Sequence, residues 1–181
     1  RGAFEDRRFS LIIGDGRKYV ESLGREKIYD IIIVDATDPL SGGPAYLLYT
    51  KEFYSSLSRI LSDDGLIITQ AQDPEYERAC AISIYKTVGV VFPISRIFKA
   101  YIPSFDGEWC FVIGSKKYDP AELNVNEVQR RIENRGLKDL KYYHAKLHSA
   151  LFVLPKYFME DLEKFEGTKI ISDDSPFYVY G

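Results

Sequence analysis

The sequence predicts an α/β fold, an open, doubly wound, mostly parallel sheet with an antiparallel hairpin at one edge. Three observations lead there. Ile28 to Val34 is an apolar run broken only by Asp30, the pattern of a strand buried on both faces in a parallel sheet. Apolar runs of strand length alternate with stretches of helical spacing along most of the chain. Two further runs, Ser95 to Tyr101 and Trp109 to Ser115, are joined by only Ile102 to Gly107, too short for a parallel crossover, so they pair antiparallel.

Each element has a local reason. Phe9 to Ile13 is a short apolar run closed by Gly14-Asp15-Gly16, which reads as a strand entering a turn. Arg17 to Leu23 places Tyr19, Val20 and Leu23 on one side of a helix. The Ile28–Val34 strand ends in Asp35-Ala36-Thr37-Asp38-Pro39, followed by a loop holding Ser41-Gly42-Gly43-Pro44. Thr50 is an N-cap for a helix to Leu61, with Phe53, Leu57, Ile60 and Leu61 at helical spacing. Asp63-Asp64-Gly65 turns the chain into a strand from Leu66 to Gln70, and Pro74 opens a helix to about Val88. Asp119-Pro120 starts another helix that stops near Gly136, a C′ glycine. The remainder reads as short helices and an irregular tail.

Composition narrows the classes. A chain of 181 residues with 45% hydrophobic and 28% charged side chains forms one domain with a real core. No apolar run approaches the roughly 20 residues a membrane span needs, and with no basic n-region ahead of an apolar h-region no signal peptide is expected. With 24 basic against 27 acidic residues there is no basic stripe, which argues against nucleic acid as a partner. Cys80 and Cys110 form no CxxC pair, so a reducing cytoplasm is expected rather than a disulfide framework or a zinc-thiolate site. The chain opens on Arg1 just ahead of its first expected strand, and residues are expected upstream.

In open α/β sheets, ligands bind at the carboxyl ends of the strands. Four places qualify: Asp15-Gly16, Asp35 to Asp38, Gln70, and the hairpin loop near Phe105. Asp35 and Asp38 follow the most hydrophobic strand; two carboxylates there can hold a cationic amine, and one can take its proton. The alternative for Asp38-Pro39 is a plain Asx-turn. Gly14-Asp15-Gly16 can bring backbone N–H groups and a carboxylate to a nucleoside, or simply turn into a helix. The Ser41–Pro44 loop lacks the Lys of a phosphate-binding loop. Gln70 is a neutral donor and acceptor aimed at the crevice, or a surface amide. Tyr46, Tyr49 and Tyr101 are candidates for a pocket wall. His144 and His148 at i, i+4 make half a metal site, but no third ligand is spaced to match, so ordinary structural histidines and no metal are expected.

Taken together, these pieces resemble the polyamine synthase family, the spermidine, spermine and thermospermine synthases. The matching stretches are Ile13 to Gly16, Asp30 to Pro39, Gly43-Pro44 with Phe53-Tyr54, Asp64-Gly65-Leu66 leading to Gln70, Ile102-Pro103-Ser104, and Ala150 with Phe152 to Pro155. The resemblance implies a methyltransferase-like, Rossmann-type sheet and an enzyme that moves an aminopropyl group from decarboxylated S-adenosylmethionine, a co-substrate, to a polyamine. It implies no resident cofactor. Asp35 would be the general base, Asp15 and Gly16 would contact the adenine, and Pro44 would pack near it. Asp35, Ala36, Thr37, Asp38, Gln70 and Phe105 would line the acceptor.

A longer loop before Gly43-Pro44 and Phe105 in place of the family's usual tyrosine look more like thermospermine synthases, which shifts the expected acceptor from putrescine toward spermidine. The same resemblance makes residues 1 to 181 a single domain, the carboxy-terminal two-thirds of the enzyme, without its amino-terminal β-domain and Gly-rich nucleotide loop. Such a piece would hold half a donor site and be inactive alone. A cytoplasmic homo-oligomer, dimer or tetramer, is the expected assembly. The rival reading is a methyltransferase of the same fold class using intact S-adenosylmethionine; the Asp-Ala-Thr-Asp-Pro block beside a Gly-Pro loop favours aminopropyl transfer. A catalytically dead scaffold on this fold is disfavoured because Asp35, Asp38 and Gln70 are all kept.

Overall fold

The computed structural model describes residues 2–26 and 28–179. Its elements in chain order are α1 (Gly16–Ser22), β1 (Tyr29–Val34), α2 (Lys51–Ile60), β2 (Leu61–Gln70), α3 (Arg78–Gly89), β3 (Ile94–Ile102), β4 (Gly107–Ser115), α4 (Val125–Asn134), α5 (Ala145–Leu151) and α6 (Lys156–Lys164). The sheet runs β1-β2-β4-β3. β1 and β2 are parallel, joined through α2; β2 meets β4 antiparallel, and the β3–β4 hairpin closes the edge as expected.

Local chemistry sets these boundaries. Thr50 Oγ1 accepts from the Phe53 N–H (3.3 Å) and caps α2, whose Phe53, Tyr54, Leu57 and Ile60 are buried together. β2 begins earlier than the expected Leu66: Leu61 pairs with Tyr29, and the register then jumps so that Ile31 faces Leu66. α3 starts at Arg78 rather than at Pro74. Asp73 Oδ1 accepts from the N–H groups of Glu75 (2.7 Å) and Tyr76 (2.8 Å), an Asx-turn that delays the helix. The helix expected from Asp119 splits into a short 3₁₀ turn capped by Asp119 and α4 capped by Asn124. Gly136 takes φ +63° directly after the C-cap of α4, the C′ role expected for it.

One expected strand does not form. Residues 9 to 13 make no ladder, and Leu11, Ile12 and Ile13 are exposed. A strand exists through its partner, and among the described residues β1 pairs only with β2.

The core lies between α2, α3 and one face of the sheet, built from Tyr49, Tyr54, Leu57, Ile67, Ile84, Val88, Cys110 and Val112. The opposite face is covered near the hairpin, where Phe98 stacks on Phe111 with centroids 5.2 Å apart and Phe152 lies tilted against Phe98 at 5.5 Å. Over β1 it is open. No helix among the described residues is long and apolar enough to cross a membrane.

Candidate active site at the carboxyl edge of the sheet

The topology brings the chemistry to one edge. β1 and β2 run parallel, so Val34 and Gln70 end side by side. Gln70 pairs with Phe111 on the antiparallel β4, so the hairpin tip projects past the same edge. Val34 is buried toward the helices; side chains alternate along a strand, so Asp35 faces the other way, into the crevice. A cavity of about 360 Å³ opens there, walled by Asp35, Ala36, Gln70, Ile102, Phe105 and Trp109. The Phe105 and Trp109 rings lie 4.7 Å apart, inclined at 49°.

A second cleft, about 470 Å³, lies on the other side of the Asp35–Asp38 loop. Gly14, Asp15, Gly16, Ala36, Thr37 and Pro44 line it. Ala36 therefore walls both clefts, and the short segment between Asp35 and Asp38 is the partition. Asp35, Ala36, Gln70 and Phe105 wall the first cleft, Asp15, Gly16, Ala36, Thr37 and Pro44 the second, and Asp38 belongs to the partition.

Their situations differ. Asp35 is exposed and Asp38 half-buried, and neither carboxylate has a hydrogen-bond or ion-pair partner among the described residues. Asp15 has a structural duty as well: its Oδ1 accepts from the Lys18 N–H (3.1 Å) and caps α1. Gln70 is 6% exposed, with its carboxamide fully engaged inside the protein.

The edge is acidic beyond the residues the sequence pointed to. Asp73 and Glu77 follow β2, and burial together with the charges of Asp38 and Asp73 holds the Glu77 carboxyl above the usual carboxylate range. Burial also pushes the Tyr49 hydroxyl well up, with Asp38 and Asp35 adding to it, so Tyr49 stays a neutral phenol. Such an edge attracts a cation, which satisfies charges that repel one another.

Sequence reasoning missed Trp109, Asp73 and Glu77. Trp109 was readable as the chain's single tryptophan, two residues before Phe111 and hence on the same strand face. The acids were readable as a cluster just beyond the Gln70 strand end. The tyrosines expected as pocket walls are elsewhere: Tyr49 is fully buried beneath the site, Tyr46 packs on Tyr178 (5.6 Å), and Tyr101 bonds Asp106 (2.7 Å).

The histidines are structural. His144 Nδ1 accepts from the Leu147 N–H (3.3 Å) and caps α5. His148 Nε2 lies 2.8 Å from the Pro120 carbonyl, which can only accept, so Nε2 carries the proton and Nδ1 accepts from the Tyr143 hydroxyl (2.7 Å). Cys80 and Cys110 are buried free thiols, and burial pushes Cys110 up to about 12.

A family model described as "Spermine/spermidine synthase domain" matches residues 1–127. A polyamine aminopropyltransferase of Korarchaeum cryptofilum is 42% identical over 179 residues, 99% of this chain and 54% of that protein. One from Sulfolobus acidocaldarius is 41% identical over 162 residues, 90% of this chain and 53% of its own. A spermidine synthase solved in complex with the transition state analogue AdoDATO superposes with a TM-score of 0.77 at 31% identity, covering 88% of this chain and 52% of that one. The spermidine synthase of Thermotoga maritima gives a TM-score of 0.71 at 28% identity, covering 88% and 50%. The chain thus spans about half the length of the curated relatives it matches, a smaller share than the two-thirds expected.

Proposed function

Since the chain belongs to the spermine/spermidine synthase family, we propose that its protein moves an aminopropyl group from decarboxylated S-adenosylmethionine to a polyamine, with Asp35 as general base. The observation that carries this reading is the pair of clefts sharing Ala36 as a wall. A transfer between two substrates needs two sites meeting at the reacting atoms, with a base on the acceptor side. Asp35 stands on the aromatic side, and Asp15, Gly16 and Pro44 line the other.

In this reading the nucleoside lies in the Asp15–Gly16–Pro44 cleft and directs its sulfonium toward the partition. The amine lies in the aromatic cavity, its ammonium drawn by Asp35 and Asp38. Asp35 takes a proton from the attacking nitrogen. The freed lone pair forms the new C–N bond at the carbon next to sulfur, the C–S bond breaks, and its electrons stay on sulfur as methylthioadenosine leaves. The sulfonium already activates that carbon, so positioning and a base are what the protein supplies.

Spermidine is the proposed acceptor over putrescine. Phe105 at the cavity wall offers no hydroxyl to anchor the far ammonium of a short diamine, while its ring and that of Trp109 can pack against a longer chain's methylenes. A cytoplasmic homo-oligomer goes with the same reading.

Asp35→Asn keeps the shape and loses the proton acceptor. In the full-length protein turnover should fall at least ~100-fold with the fold intact by circular dichroism. A correctly folded variant with near-normal turnover would remove Asp35 as the base.

A further inference from the structure

The Gln70 carboxamide has nothing left to offer a ligand. Its Nε2 donates to the Ala36 carbonyl (3.2 Å) and the Tyr49 hydroxyl (2.5 Å). Its Oε1 accepts from Trp109 Nε1–H (2.8 Å) and the Gln72 backbone N–H (3.1 Å), with Gln72 Nε2 at 3.5 Å. The orientation follows from chemistry: an indole N–H can only donate and a carbonyl can only accept, so oxygen must face Trp109 and nitrogen must face Ala36. Tyr49, having accepted from Gln70, donates its own proton to the Thr37 carbonyl (2.9 Å). A directional chain results, from Trp109 through Gln70 and Tyr49 to Thr37.

That chain joins two parts of the site. At one end is the indole that walls the aromatic cavity. At the other are Ala36 and Thr37, the backbone between Asp35 and Asp38. Gln72 helps hold the middle, its backbone at φ +71° turning an N–H onto the Gln70 oxygen. Tyr49 is wholly buried and reaches neither cleft's surface as a free hydroxyl.

We infer that Gln70 is a positioning residue: with Tyr49 it fixes the Trp109 wall and the Asp35–Asp38 loop relative to each other, and it does not itself bind the amine. This rests on the proposed aminopropyl transfer for its kinetic reading but not for its spectroscopic one. A ligand's loss weakens acceptor binding. The loss of a positioning group misplaces base and wall, which lowers turnover even for bound substrate.

The test uses the full-length enzyme with Gln70→Met, Tyr49→Phe, their double variant, and Trp109→Phe as a spectral blank. The difference between wild-type and blank emission isolates Trp109 whatever other tryptophans the protein carries. Before any substrate is added, the Trp109 emission maximum should shift in Gln70→Met, and in the same direction in Tyr49→Phe. Turnover should fall on the order of 10-fold in each, with acceptor KM within about 2-fold of wild type. The double variant should match Gln70→Met within about 2-fold, because the two residues act as one unit.

An acceptor KM raised about 10-fold in Gln70→Met, with emission and turnover unchanged, would make Gln70 a ligand and overturn the inference. So would a Tyr49→Phe variant identical to wild type in both readouts. If Gln70→Met does not fold, the near-isosteric Tyr49→Phe carries the test by itself. Wild-type enzyme that forms no aminopropylated amine would instead defeat the proposed function, and the emission shifts would still decide the network.

Discussion

Asp15 carries two duties, and they can be separated. Its carboxylate caps α1 through Lys18 and also faces the proposed donor cleft. Asp15→Ser keeps a capping oxygen but loses the carboxylate, whereas Asp15→Ala loses both. Donor affinity by calorimetry should weaken by about 1–3 kcal/mol in either variant, while acceptor affinity stays put. Only Asp15→Ala should also lose about 1 kcal/mol of stability. Asp15→Ser that binds donor like wild type would leave Asp15 a cap and nothing more. Asp35, directly after the apolar run of β1, and Asp15, in the Gly-Asp-Gly turn into α1, were placed by the sequence because strand-end and turn signals are local. The engagement of Gln70 was not legible. Its partners Tyr49, Ala36 and Trp109 stand 21, 34 and 39 positions away, and only the folded sheet joins them.

Among elements, β4 packs closely against α3 and the turn that follows it at Gly114. A Cβ added to Gly114 would lie 2.5 Å from Phe92 Cδ2 and 2.7 Å from Val88 Cγ1, closer than real atoms approach. Gly114→Ala must push α3 off the sheet, and overpacking of this kind costs about 1–3 kcal/mol. Thermal unfolding should show a clearly lower midpoint, and an unchanged midpoint would mean that α3 has room the structure does not show. Elements whose signals are local were readable: Thr50 caps α2, Gly136 ends α4, and the short Ile102–Gly107 link makes a hairpin. Elements that depend on a distant partner were not. Residues 9 to 13 have the apolar run of a strand but no ladder, and Pro74 gives a helix signal that the Asp73 turn overrides.

For the molecule as a whole, β1 shows how far pattern and structure agree. Its apolar run predicts burial on both faces, yet Ile31 and Ile33 are 60% and 71% exposed, while the Ile32 and Val34 side is packed on the helices. What the fold does secure is the carboxyl edge, where four strands, the hairpin tip and the Asp35–Asp38 loop converge on two adjoining clefts. Aminopropyl transfer and the choice of acceptor are decided together by a competition assay on the full-length protein. Decarboxylated S-adenosylmethionine is supplied with equimolar spermidine and putrescine, and the products are identified by mass. The expected products are amines heavier by one aminopropyl group, with methylthioadenosine in equal amount and a higher kcat/KM for spermidine than for putrescine. A ratio below one would return the acceptor to putrescine and leave Phe105 a packing residue. No aminopropylated amine from any acceptor, with the protein folded and the donor intact, would rule out aminopropyl transfer.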